Sequence, residues 1–401
     1  MERRLYYGSP YMAEWQAEVK EIIEKDEKFL IILSETAFYP GGGGQPADSG
    51  NIDGIAVEEV YEKDGEIYHV LNRKPQNRIV KCAIDIVRRR DLTQQHTGQH
   101  ILSSVFDLYG GETSSFHLGD DEVSIDISLS DISGELLKTI EDKANGYIYR
   151  DLIVKAHFVS PEGASDFPLR KAPPRDDVIR IVEIDNIDFS PCCGTHVTRT
   201  GEVGIIKVLK AEKMRNQTRI YFKCGMRALR DYQDKHAIVS ALSRLYRTSE
   251  GEIPARSESM MAQLKSLQKE LSDLKEKTLA LEAKGIAGLA RSKVIRMDLE
   301  DKKADEISLL AKYILQNGDF ILVLSSIPDK RLLFAHSGAF VINCGKVFKD
   351  HLAEFKGKGG GSDKWANAGF NDVNDMKNFA EFLNGLASSL SIHDDKKDIA
   401  S

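Results

Sequence analysis

Long apolar runs are missing from this 401-residue chain. No window approaches the roughly 20 apolar residues of a membrane span. The start, Met1 to Gly8, has no apolar signal core. The expectation is a cytoplasmic protein with no membrane partner. Cysteine is scarce: five thiols, an odd number without an export signal, argue against a disulfide framework. Basic residues are outnumbered, 55 Lys and Arg against 62 Asp and Glu, for a net charge of −7. Any contact with a polyanion therefore has to be local. Such a place exists between Arg199 and Arg230, where nine basic residues face only Glu202 and Glu212.

At about 100–200 residues per domain, the length allows two to four domains. The order of patterns predicts an α+β protein. Residues 1–88 alternate short apolar runs, such as Phe29 to Leu33, with turn clusters, which suits a small β-barrel or sandwich. Residues 89–230 mix helix (Thr93 to Tyr109, Gly134 to Arg150) with strands around Val123 to Ile127, Val178 to Ile184 and Gly204 to Leu209. Residues 231–285 read as a helical linker. There Leu264, Leu267, Leu271, Leu274, Thr278 and Leu281 follow the 3-4 spacing of a short coiled-coil seam. Residues 286–401 read as a last α/β unit, with helices near Ala304 to Gln316 and Asn374 to Ser389 and a glycine-rich stretch from Gly357 to Ser362.

Two segments carry metal-binding residue types. In His96-Thr97-Gly98-Gln99-His100 the histidines are four apart, so on a helix they share one face. No glutamate follows His96, so the metalloprotease pattern is absent. Cys192-Cys193-Gly194-Thr195-His196 offers a thiolate and an imidazole four residues apart in a turn. Three nitrogens and one sulfur together suit tetrahedral zinc. A third segment, Thr36 to Gly50, holds Gly41 to Gly44 and Gln45. Its glycines let backbone approach a ligand, but no Lys-Ser/Thr pair follows, so it is not a nucleotide phosphate loop.

These three segments, in this order, resemble the editing domains of alanyl-tRNA synthetases and the free-standing AlaX editing proteins. The last unit, with Gly357 to Ala368, resembles the DHH-associated domain that ends alanyl-tRNA synthetase, and the combination is similar to the long form of AlaX. No class II aminoacylation domain is present, so no ATP-dependent amino-acid activation is implied. The resemblance implies zinc ligands at His96, His100, Cys192 and His196. Cys193 stands where relatives often have glycine, which makes it a competing thiol. It also implies that Thr36 and Gln45 act at the reaction centre and line the amino-acid pocket, with Gly43, Gly44 and His117 beside them.

The implied activity is hydrolysis of the ester in tRNA(Ala) mischarged with serine or glycine. Zinc can activate water, polarise the carbonyl or hold the 3′ end. Serine exceeds alanine by one hydroxyl, so size cannot exclude alanine, and a polar group has to read the hydroxyl. Arg88, Arg89, Arg90, Lys210, Lys213, Arg215 and Arg219 are the expected tRNA contacts, and the C-terminal region is an expected dimer contact. Two other classes fit the same ligand set: a tRNA-binding protein with a structural zinc, and a hydrolase of small esters.

Overall fold

The computed structural model describes residues 4–394, with side chains to 389. A short helix α1 (Leu5–Gly8) precedes six strands: β1 (Glu14–Lys25), β2 (Lys28–Leu33), β3 (Gly50–Ile52), β4 (Ile55–Lys63), β5 (Glu66–Leu71) and β6 (Ile79–Ile84). They close a barrel in the order β1-β2-β5-β4-β3-β6, with every pair antiparallel. Closure leaves no unpaired strand edge. Ile31, Leu33, Ile52, Val60, Leu71 and Val80 fill the barrel.

Helix α2 (Ile86–Leu108) follows at once, its first turn capped by the Asp85 carboxylate, which accepts from Val87 N and Arg88 N. It begins seven residues before the expected Thr93, because its first turns carry arginines and no apolar repeat. From Leu92 to Phe106 every residue is buried. A helix buried on all sides must satisfy its polar side chains internally. Gln95 does so by bonding both the N–H and the carbonyl of Cys224, at 2.7 and 2.9 Å.

Around α2 lie β7 (Thr113–Leu118), β8 (Val123–Ile127), α3 (Gly134–Tyr149), β9 (Val154–Val159), β10 (Ile179–Ile184), β11 (Asp188–Pro191), β12 (Ile206–Lys213) and β13 (Thr218–Cys224). They form two sheets, β12-β13-β8-β7 and β11-β10-β9. Helix α4 (Gly225–Tyr246) then leads out.

The described chain divides into two compact units, one ending at Leu245 and one starting at Tyr246. The second holds α5 (Ile253–Leu289), β14 (Val294–Leu299), α6 (Ala304–Gln316), β15 (Ile321–Ser326), β16 (Arg331–His336), α7 (Cys344–His351), β17 (Lys358–Gly361), β18 (Trp365–Gly369) and α8 (Val373–Asp394). Its sheet runs β14-β15-β16-β18-β17. Only β14 and β15 are parallel. Side chains alternate between two cores. Ile321, Val323 and Phe334 join Phe348 and Phe379 on one face; Leu322, Leu324 and Leu333 join Leu310 and Leu279 on the other. The leucines of the expected seam, Leu264, Leu267, Leu271, Leu274 and Leu281, are all exposed on α5.

The molecule is thus α+β with a closed six-stranded N-terminal barrel. No helix among the described residues is long and apolar enough to cross a membrane.

Candidate metal centre and its cleft

His96 and His100 sit one turn apart on α2, and Cys192 and His196 lie in the turn after β11. One ligand atom from each falls within 4.8 Å of all the others. The Cys192 sulfur is 3.4 Å from His96 Nε2 and 3.3 Å from His196 Nε2. A tetrahedral ion with metal–sulfur about 2.3 Å and metal–nitrogen about 2.0–2.1 Å would separate sulfur and nitrogen by about 3.5 Å. The donor set and its spacing fit zinc.

Each imidazole is aimed by a partner on its other nitrogen. His96 Nδ1 meets Gln45 Oε1 at 2.7 Å, His100 Nδ1 meets Asp188 Oδ2 at 2.8 Å, and His196 Nδ1 meets Thr97 Oγ1 at 3.3 Å. The Gln45 and Asp188 oxygens only accept, so His96 and His100 carry their protons on Nδ1. Thr97 Oγ1 donates to the Thr93 carbonyl at 2.9 Å, which leaves it an acceptor toward His196. A bound ion would then meet one Nε2 lone pair from each imidazole. Such outer partners fix tautomer and ring orientation in metal sites. Asp188 is itself held by Arg170 Nε at 2.8 Å and Ser190 Oγ at 3.1 Å.

Burial disfavours the Cys192 thiolate, but His96 beside it and a hydrogen bond from His100 outweigh burial and hold the thiol well below its usual range. Burial pushes His196 down to about 3, keeping it a neutral donor. Gly194 completes the turn. A Cβ there would lie 2.1 Å from His96 Cε1, so only glycine fits without moving a ligand.

The centre opens into a cleft of about 810 Å³. His96, Gln99 and His100 supply one wall, the Gly41–Gly43 backbone with Tyr39 another, and Cys192, Cys193 and Arg180 a third. Gly41 to Gly44 all have positive φ, which makes the turn that carries Gln45 toward α2 a glycine turn.

The structure places the expected site residues as follows. The four donors converge, and Cys193 lies outside their group, exposed on the cleft beside Tyr7. Gly43 lines the cleft, while Gly44 packs against Phe116. Gln45 is 1% exposed and its amide is committed: Oε1 also accepts from Thr195 N at 3.0 Å, and Nε2 donates to Thr195 Oγ1 at 2.8 Å. Its place is behind His96, not in the cleft. Thr36 is buried in the barrel, where its hydroxyl meets His69 Nε2 at 2.9 Å. It lines a separate cavity of about 150 Å³ that shares Arg4 with the cleft. His117 is exposed on β7, alternating with the cleft-lining Phe116.

Among the expected tRNA contacts Arg89 is a correction. It is 0% exposed and ion-paired to Asp48, with Nη2 also on the Ala37 carbonyl at 2.6 Å, so it ties the glycine turn to α2 and cannot reach a phosphate. Arg90, Lys213 and Arg215 are exposed. Arg88, Lys210 and Arg219 pair with Asp120, Glu212 and Asp126. Sequence reasoning missed Asp188, Thr97, Arg170 and Arg180. Asp188, an acid four residues before Cys192, was the one visible signal.

A domain shared by aminoacyl-tRNA synthetases is the class that this site defines. The family model described as the threonyl and alanyl tRNA synthetase second additional domain matches residues 179–221, the span that contains Cys192 and His196. The chain is 32% identical over 387 residues to the alanyl-tRNA editing protein AlaX-L of Pyrococcus horikoshii, covering 91% of this chain and 94% of that protein. It belongs to the AlaX-L family of alanyl-tRNA editing proteins. It is also 32% identical to the alanine–tRNA ligase of Korarchaeum cryptofilum and 30% identical to that of Halobacterium salinarum, covering 90% and 86% of this chain. It spans only 42% and 39% of those ligases.

Proposed function

We propose that this protein deacylates tRNA(Ala) mischarged with serine by ester hydrolysis at a zinc centre held by His96, His100, Cys192 and His196. One observation carries the reading: three of the four donors, His96, His100 and Cys192, line an open cleft, so the group is not a sealed interior knot. When bound, zinc supplies a Lewis acid for the ester carbonyl or for water. The protein's own part is orientation. Gln45, Asp188 and Thr97 hold the imidazoles, and the Gly41–Gly43 backbone lets the aminoacyl end approach closely.

Serine has to be read by hydrogen bonding. Gln99 lines the cleft and spends its amide nitrogen on Ser103 Oγ at 2.7 Å, which leaves its carbonyl oxygen for a serine hydroxyl. Thr36 is the other candidate, through the adjoining cavity. Gln99→Leu and Thr36→Val separate them: the reader's loss slows seryl-tRNA hydrolysis selectively, and the other substitution slows both substrates alike or neither. The tRNA body is gripped by Arg88, Arg90, Lys210, Lys213, Arg215 and Arg219; the exposed Arg88–Asp120 and Lys210–Glu212 pairs are weak enough for phosphates to displace. The exposed α5 seam pairs two copies of the chain.

The test compares seryl-tRNA(Ala) with alanyl-tRNA(Ala), on the zinc-loaded protein and after chelation. Serine should be preferred by about 10²-fold or more. Chelation and His100→Ala should each abolish turnover. Four protein donors can also close a shell for structure alone. Zinc-dependent tRNA binding with no hydrolysis of either substrate would establish that second reading instead.

A further inference from the structure

We propose that Arg170, Lys171 and Arg180 form a phosphate subsite on the cleft wall, which takes the 5′-phosphate of the terminal nucleotide whose ester is cleaved. The proposal rests on the deacylase reading for the identity of that nucleotide. All three residues line the same cleft as His96, His100 and Cys192.

The two arginines are built in, not surface decoration. The Arg170 side chain is 9% exposed, with Nε on Asp188 and Nη2 on Ser190 Oγ at 3.0 Å, yet its Nη1 has no hydrogen-bond partner. Arg180 is also 9% exposed, with Nη1 on the carbonyls of Cys192 and Gly194 at 2.7 and 3.0 Å, yet its Nε has none. Each guanidinium therefore keeps an unpaired N–H just beneath the cleft wall, which a small side-chain shift presents to an incoming acceptor, and a phosphate offers several acceptors. Lys171 adds a flexible ammonium next in sequence to Arg170. Burial, then repulsion from Arg170, lowers its pKa, and a bound anion would relieve both. Asp188 is already committed to His100 and Arg170, and Glu62 to Arg4. Asp176 is the remaining carboxylate on the cleft wall.

The neighbouring surface fits the rest of a nucleotide. The Arg180 guanidinium carbon lies 4.9 Å over the Tyr7 ring, and the Phe158 ring meets Tyr7 edge-on at 5.6 Å. Phe158, 41% exposed and lining the cleft, offers a base an aromatic surface beside these cations. The metal donors in the same cleft receive the 3′ end. The arrangement thus fixes the direction of the nucleotide: phosphate at Arg170 and Lys171, esterified oxygen at the metal centre.

Lys171→Met is the informative variant, because Arg170 and Arg180 also support the metal turn. The probes are adenosine 5′-phosphate and adenosine, bound to the full-length zinc-loaded protein without any acyl group. The wild type should prefer the phosphate form by about tenfold, the worth of one charged hydrogen bond. Lys171→Met should lower the ratio several-fold with zinc content unchanged, leaving the part that Arg170 and Arg180 supply, and Lys171→Arg should restore it. Equal or undetectable binding of the two probes by the wild type, or an unchanged ratio in Lys171→Met, overturns the subsite. The deacylase reading fails separately, if seryl-tRNA(Ala) stays intact while the Lys171-dependent preference persists.

Discussion

Asp188 links the metal centre to the cleft wall through one carboxylate, with His100 on one oxygen and Arg170 on the other. Asp188→Asn keeps the shape but can present an N–H to His100 Nδ1, which favours the wrong tautomer. Zinc affinity should fall about 10–100-fold, the usual effect of losing an outer-shell partner. Competition with a chelating dye measures it, and unchanged affinity would remove Asp188 from the centre. A second residue sets an acid limit on stability. His69 donates from Nδ1 to the Ile31 carbonyl at 3.0 Å and accepts from Thr36, and burial pushes it down to about 4 from 6.5. Above 6.5 the folded and unfolded chains are both neutral there, and the stability tied to neutral His69 is whole. As pH falls toward 4, only the unfolded chain takes the proton, so stability is lost by about 1.4 kcal/mol per pH unit. His69→Gln should flatten that part of a urea-midpoint profile, and an identical acid slope would assign the loss to other groups. At this scale the four donors were legible, because i,i+4 spacing and a Cys-x-x-x-His turn are local patterns. The roles of Gln45 and Asp188 were not, because each meets its histidine across the fold, 51 and 88 residues away.

Helix α2 carries both ligands of the first motif, so its entry matters. The Asp85 cap satisfies two backbone N–H groups, and Asp85→Ala should cost about 1 kcal/mol. Denaturant unfolding checks this, and a change below a few tenths would mean that burial alone holds the helix. The beginning of α2 escaped the periodicity because Arg88, Arg89 and Arg90 hide it. Arg89 is the extreme case: a charged residue in a basic run that is wholly buried on Asp48. Helix α5 shows the converse. Its seam was plain in the spacing, and the chain alone leaves Leu267 and Leu274 at 62% and 54% exposure. If those leucines join two copies, Leu267→Lys with Leu274→Lys should yield monomers in sedimentation velocity. A wild type that is monomeric throughout would withdraw the pairing.

At the scale of the molecule, every metal donor and every cleft residue belongs to the unit that ends at Leu245. Chelation of the full chain should therefore raise amide exchange around His96 to His100 and Cys192 to His196. It should leave β15 and β16 of the other unit unchanged, and exchange that rises equally in both would show one cooperative whole. The mixed α+β character and the N-terminal barrel were readable from short apolar runs alternating with turn clusters. The pairing of strands far apart in sequence, such as β13 with β8, was not, since no local signal specifies it. Of five cysteines, Cys82, Cys224 and Cys344 are buried and Cys192 is turned to the histidines, while Cys193 stands exposed on the cleft. With a metal covering Cys192, a thiol-directed dye has one accessible address in the native protein, and no engineering is needed to put it there. Its emission would report each arrival and departure of an acceptor end in real time.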